Sequence, residues 1–423
     1  LEQMDMILGL LVTLASFIVL LSFIVFFHEL GHFQVARWCG VKVDVFSIGF
    51  GPVLLKRTDR HGTEWRVSAL PLGGFVKFFG DAGPASAPSE EVNEERSVEN
   101  AADSPGMTQF PKGSEKEQLE HRLTAEEKSV CFHFKPLWQR AAIVAAGPMA
   151  NFVLAIAIFF ILLMSLGETV REARIVAVEA DSPAAEAGFE SGDKVLSVDG
   201  KRVRDWTDLT QAVKLGTGEE LAFEVERNNS VIVLLATPER RQMLDRYGNT
   251  VSAGFLGVSS TSDFQNVRYG PIEAMGKAIA RVGDMIGLTV KFLGRIILGK
   301  EDFSQLGGPV KIAKYAGQSS MSGFDENIPE EVSLGRRLMI SLVDFVQMAA
   351  MISISVGFLN LLPVPVLDGG HLVFYAYEAI AGKPLSEAVQ AVSFRIGIVI
   401  LLFLMVFVTW NDISQEFLSK LTG

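Results

Sequence analysis

Apolar positions in this chain fall into four long blocks separated by mixed sequence. The blocks run roughly from Met6 to Arg37, Ala141 to Leu166, Met339 to Leu362 and Val389 to Trp410. Each is long enough to cross a hydrocarbon core of about 30 Å as a helix, so the pattern predicts four membrane spans. After the first block the periodicity changes. Val41 to Phe79 is rich in Val, Phe and Gly, and Ser47-Ile48-Gly49-Phe50-Gly51-Pro52 reads as turn-forming. Glu64 to Leu70 alternates as a strand, Pro71 to Gly74 reads as a turn, and Phe75 to Phe78 as the return strand of a hairpin. So apolar a hairpin beside a span is expected to dip towards the bilayer, where irregular backbone must be buried in protein or line a cavity. Its edge around Gly73, Gly74 and Phe75 could pair with an extended peptide.

Gly80 to Lys128 is rich in Ser, Pro, Ala and Glu and predicts a loosely ordered insertion. Arg174 to Thr237 has soluble strand character. Gly270 to Lys300 sets Lys277, Arg281, Lys291 and Arg295 among Met, Ile, Leu and Val, as in helices lying at a membrane surface. The expected organisation is 1–80, 81–135, 136–168, 169–262, 263–337 and 338–423.

Composition agrees with a membrane protein carrying soluble parts: 423 residues, 49% hydrophobic. The formal net charge of −11 owes much to the acidic insertion. No basic footprint for nucleic acid is present, so no nucleic-acid partner is expected. Cys39 and Cys131 are too few for a disulfide framework. The first block is too long for a cleavable signal peptide and lacks a basic leader. Lys and Arg follow the first span, from Arg37 to Lys77, and Lys383 and Arg395 lie between the last two. The positive-inside rule then puts both termini and Gly167 to Arg337 outside, and the loop after span one inside.

Chemistry enters at Phe27-His28-Glu29-Leu30-Gly31-His32-Phe33, where two histidines and a glutamate sit within an apolar helix. Ionisable groups at the centre of a membrane span cost roughly 2.5–3.5 kcal/mol each on insertion scales, so they are rare without a function. Histidines at i and i+4 share a helix face and can hold one zinc ion. A glutamate directly after the first is placed to act as general base on water activated at that metal. A catalytic zinc takes three protein ligands, and the third is expected near Asn360-Leu361-Leu362-Pro363-Val364-Pro365-Val366-Leu367-Asp368-Gly369-Gly370-His371. Spacing leaves Asp368 and His371 as rivals, with Asp344 a weaker candidate. Ala145 to Asn151 in span two is a small-residue patch suited to close helix packing, with Asn151 able to hydrogen-bond near the site.

Ser182-Pro183-Ala184-Ala185-Glu186-Ala187-Gly188 followed by Gly192-Asp193-Lys194-Val195-Leu196-Ser197-Val198-Asp199-Gly200 resembles a PDZ domain of the bacterial protease-associated kind. Phe255, Leu256, Gly257 and Val258 resemble the peptide-carboxylate loop of such domains, and their late position implies a circular permutation. His28-Glu29-Leu30-Gly31-His32, paired with the Asn360 to Gly369 run, resembles the signature of the site-2 protease family of intramembrane zinc metalloproteases. The resemblance implies a polytopic α-helical membrane protein with four transmembrane helices, a membrane-associated β element and an inserted PDZ domain. It implies a Zn2+ cofactor held by His28, His32 and Asp368, with Glu29 as base and Asn360 holding the substrate backbone. Implied substrates are single-span membrane proteins such as anti-sigma factors, or remnant signal peptides. They would be cut within the lipid bilayer of a bacterial inner membrane, after a first cut outside by a site-1-type protease. Two departures stand out: well-known members carry tandem PDZ domains where this chain has room for one, and the resemblance transfers no role to the acidic insertion Gly80 to Lys128. The alternatives are a catalytically silent PDZ scaffold and a metal-ion transporter. Neither explains an intact base beside an intact histidine pair.

Overall fold

The computed structural model describes residues 2–80, 123–244, 250–261, 263–301, 307–325, 328–329 and 331–422. Most of the acidic insertion, residues 81–122, lies outside them. The chain divides into two bodies, residues 1–156 with 308–423, and residues 157–307.

The first body contains most of the long apolar helices. Helix α1 (Glu2–Trp38) runs without Pro or an interior break and stops at Gly40, whose φ of +68° suits the left-handed position that ends helices. Strands β1 (Val43–Thr58) and β2 (Glu64–Phe78) follow, and the short helix α2 (Ala125–Val130) leads to α3 (Leu137–Ser165). After the second body come α7 (Pro309–Met321), α8 (Leu334–Asn360), α9 (Asp368–Ala381) and α10 (Glu387–Thr422). Helices α1, α3, α8 and α10 contain four stretches long and apolar enough to cross a membrane: Ile7–Trp38, Leu137–Ser165, Leu334–Asn360 and Glu387–Ser414. Their exposed Leu, Ile, Val and Phe side chains suit lipid. Short α7 lies against α1, where Gly317 faces Thr13 and the Ser16 hydroxyl donates to Ser320 at 2.9 Å. Its first amides are capped by buried Asp412 of α10, which accepts from Gly308 N at 3.0 Å and Lys311 N at 2.9 Å.

The sheet corrects the hairpin expectation. Glu64 to Val67 does not pair with Gly74 to Phe78. Val45, Phe46, Ser47 and Ile48 lie between them, matched in ascending order to Glu64, Trp65, Arg66 and Val67, and in descending order to Lys77, Val76, Phe75 and Gly74. Leu55 to Thr58 pairs on the far side of Val67 to Glu64. The glycines read as turn-forming do bend the chain, with positive φ at Gly49, Gly51 and Gly73, but inside two long strands. The central run wins because both its faces are covered: Val43, Val45, Phe46 and Ser47 are buried, and Phe46 packs on Phe33 of α1 and on Trp65. Among the described residues Gly74 to Phe78 forms one edge of the sheet.

The second body is a small β domain with helix α6 (Pro271–Ile297) at its end. Its main sheet has the order β6-β5-β7-β8, from Lys201–Arg202, Lys194–Val198, Leu221–Arg227 and Ser230–Ala236. Two-stranded pairs join β3 (Glu168–Val170) to β12 (Gln265–Val267), β4 (Ile175–Val178) to β11 (Val258–Ser260), and β9 (Glu239–Leu244) to β10 (Thr250–Phe255). Helices α4 (Pro183–Glu186) and α5 (Trp206–Leu215) carry side-chain caps from Ser182 and Asp205. Ile175, Val195, Leu209, Phe223, Val225 and Leu256 fill the core.

Candidate metal centre

The site is assembled where α1 and α3 run against each other in opposite directions. Small residues make this possible. A methyl group on Gly31 would strike the Ala146 carbonyl and Ala150, and one on Gly147 would occupy the place of the His32 ring. With these absent, the one-turn ladder His28–His32 faces the one-turn ladder Asn151–Gly147. His32 Nδ1 donates to the Ile143 carbonyl at 2.8 Å, and His28 Nδ1 lies 3.2 Å from the Asn151 amide nitrogen.

Asp368 arrives from a different part of the chain. Helix α8 ends at Asn360, because Pro363 and Pro365 cannot continue it. Gly369 and Gly370 then pack against the carbonyls of Leu361, Leu362 and Val364, a fit that excludes any side chain. That tight return places Asp368 at the first position of α9. Its Oδ2 lies 3.2 Å from His28 Nε2 and 3.5 Å from His32 Nε2, and the two ring nitrogens are 3.3 Å apart.

These distances fit a metal. Ligands at 2.0–2.2 Å in a tetrahedron stand about 3.3–3.5 Å from one another. Asp368 Oδ2 is also buried without a hydrogen-bond partner, an unsatisfied acceptor aimed at two ring nitrogens. Among the described residues His28, His32 and Asp368 are the group whose ligand atoms converge for a cation. Of the rivals left open by spacing, His371 turns its ring towards Phe374 and Phe394, with centroids 6.2 and 5.3 Å away. Asp344 lies on α8 outside the cluster.

Glu29 is buried on the same helix. A Cβ on Gly74 would come within 2.9 Å of its Cγ, so the sheet edge passes directly beside this carboxylate. Gly73 carries φ +148° against Phe50, and the Phe75 ring stacks on Phe50 at 6.1 Å. Asn360 is half-buried at the end of α8. The remaining expected contacts belong to the second body. Leu256 is buried, Gly257 has φ +87°, and the carbonyls of Leu256 and Gly257 accept from Ala184 N and Glu179 N. Val258 pairs with Val178, and the Arg241 guanidinium sits 3.5 Å from the centroid of Phe255.

Sequence reasoning treated Gly147 as a packing residue and did not foresee that it clears the space for a histidine ring.

A histidine pair on a helix apolar enough to cross a membrane converges with a carboxylate from α9, with a second carboxylate alongside, an arrangement that suits a membrane metallopeptidase. The profile of peptidase family M50 matches residues 16–404, and the chain belongs to that family. It is 42% identical over 404 residues to a Brucella suis protein named as a zinc metalloprotease, covering 95% of each chain. It is 40% identical to an Agrobacterium fabrum protein named likewise, over 95% of this chain and 96% of that one. It is 38% identical to the Caulobacter vibrioides metalloprotease MmpA, over 98% of both. The protein is a zinc metalloprotease.

Proposed function

We propose that this chain is an intramembrane endopeptidase that cuts transmembrane segments of single-span proteins, with His28, His32 and Asp368 as zinc ligands and Glu29 as general base. The observation that carries this reading is the convergence of the three ligand atoms beside Glu29 and an open strand edge. Zinc, when bound there, supplies Lewis-acid polarisation of water and of the scissile carbonyl. Glu29 takes the proton from the attacking water and returns it to the leaving amine. A helical substrate hides its carbonyls in its own hydrogen bonds, so it must be unwound before it reacts. The run Gly74 to Phe78, on the sheet edge, offers backbone groups to the extended substrate, and Gly74 lets that strand lie close to Glu29. Asn360, at the end of α8, also holds the substrate backbone.

The β domain is read as a permuted PDZ domain. Its support is the strand-helix-strand order, the positive φ at Gly257 and the late position of Phe255 to Val258. It selects substrates, by their new terminus or by size, after a first cut outside the membrane. Anti-sigma factors are the leading substrate class, and remnant signal peptides a second. The positive-inside distribution supports a bacterial inner-membrane protein with the β domain in the periplasm and the metal centre towards the cytoplasm.

The test compares cleavage of a pre-trimmed single-span substrate by the parent and by Glu29→Gln, with zinc content measured in both. Activity should fall by about 10²–10⁴-fold, the usual contribution of a general base, with zinc retained. Equal cleavage would sink the assignment.

A further inference from the structure

Asn151 is fully buried in α3, a helix otherwise apolar enough to cross a membrane. A polar side chain in hydrocarbon is costly unless it is partnered. Its backbone carbonyl is accounted for, since it accepts from the Ser353 hydroxyl of α8 at 2.9 Å. Its side chain is not. The amide nitrogen faces His28 Nδ1 at 3.2 Å, and Oδ1 is left buried with no partner. Oxygen and nitrogen of an amide occupy near-equivalent positions, and which one faces the ring is decided by the hydrogen-bond network. The site decides it here. His28 Nε2 is the atom that converges with His32 and Asp368, so its lone pair must be free for the metal. A neutral imidazole then carries its hydrogen on Nδ1, and that hydrogen needs an acceptor. Turned over, the Asn151 amide puts its oxygen, such an acceptor, in the place of the nitrogen 3.2 Å from Nδ1.

The other ligand histidine is furnished in the same way, with His32 Nδ1 donating to the Ile143 carbonyl of the same helix α3. From this parallel we infer that Asn151 is a positioning residue for zinc: its side-chain oxygen accepts from His28 Nδ1 and holds the ring with Nε2 towards the metal. The histidine ladder of α1 is thus oriented wholly by α3, with one backbone acceptor and one side-chain acceptor. Outer partners of this kind typically govern metal affinity by 10–100-fold. The inference rests on the zinc-ligand reading of His28.

The experiment measures zinc affinity of the purified full chain by competition with a chelator, with melting temperature of the zinc-free protein alongside. The variants are Asn151→Leu, Asn151→Asp, Ser353→Ala and His28→Ala. Asn151→Leu keeps the branched shape, though not the volume, and loses the acceptor, and should weaken zinc binding by about 10–100-fold. Asn151→Asp keeps an acceptor oxygen and should bind within about threefold of the parent or more tightly, well short of that loss. Ser353→Ala removes only the interhelical bond to the Asn151 backbone and should leave affinity unchanged. Parent-like affinity in Asn151→Leu would overturn the inference. So would equal losses in the Leu and Asp variants that follow their melting temperatures, the mark of a packing role. Unchanged affinity in His28→Ala would instead overturn the ligand reading beneath it.

Discussion

Asp368 and Asp193 are both carboxylates largely withdrawn from water, and the chain treats them in opposite ways. Asp193, fully buried in the β domain, has both oxygens hydrogen-bonded. Arg227 donates Nε to Oδ1 and Nη2 to Oδ2, each at 2.7 Å, and the Glu190 amide donates to Oδ2 at 2.9 Å. Such a two-pronged pairing satisfies charge and hydrogen bonding together. Asp368 sits with Oδ2 3.2 and 3.5 Å from two histidine nitrogens, and that oxygen makes no hydrogen bond. One acid is satisfied by its own fold; the other keeps a buried oxygen open, as the proposed zinc ligation requires. Burial and charge alone do not distinguish scaffold from site. Unsatisfied valence aimed at other ligand atoms does.

Exchanging each acid for its amide puts that contrast to the test, and the larger effect belongs to Asp368. Asp368→Asn should weaken zinc binding by more than about 100-fold, beyond what outer partners contribute, as judged by chelator competition. The metal-free protein should keep its melting behaviour, with a change within about 1 kcal/mol, because no saturated network is broken. Asp193→Asn should do the reverse. Removing one charge leaves the Arg227 guanidinium half-paired, and breaking such a pair costs roughly 3 kcal/mol. That loss should appear as weakened hydrogen-exchange protection across β5 and β7, with zinc content unchanged. Unfolding of metal-free Asp368→Asn, or zinc loss in Asp193→Asn, would break the comparison.

The two regions were also unequally legible in the sequence. Four spans could be read because apolar blocks of that length have few other uses. His28 and His32 could be read because both lie on one helix, where spacing alone fixes their geometry. Asp368 could not be separated from His371 by spacing, since the choice depends on how Gly369 and Gly370 pack against the Leu361 to Val364 turn that follows α8. The sheet was misread for a related reason. Alternation marks strands but carries no information on which runs pair, and burial of Phe46 against α1 inserted Val45 to Ile48 between two runs that looked like a hairpin. Gly147 and Gly31 show the same limit, because a close approach belongs to two helices and not to either sequence.

The smallest expected effect sharpens the contrast through pH. Burial by itself would raise the Asp193 carboxyl, but the Arg227 hydrogen bonds, the Glu190 amide and the Arg227 charge outweigh it and hold it below the ordinary carboxylate range. A depressed folded-state value means that the ionised form is stabilised by folding. The contribution is therefore fully present above the unfolded value, about 3.9, and is lost as pH falls through the folded value. Glu172 and Glu219 are also held low by lysine and arginine neighbours, so the β domain as a whole should loosen in acid. The difference between parent and Asp193→Asn isolates one group. Between pH 5 and pH 3 the parent should lose more exchange protection across Lys194 to Val198 than the variant, which has no Asp193 charge left to lose. Equal losses would show that Arg227 stabilises the domain without the charge of Asp193, and the saturated acid would then be no more than a hydrogen-bonding group.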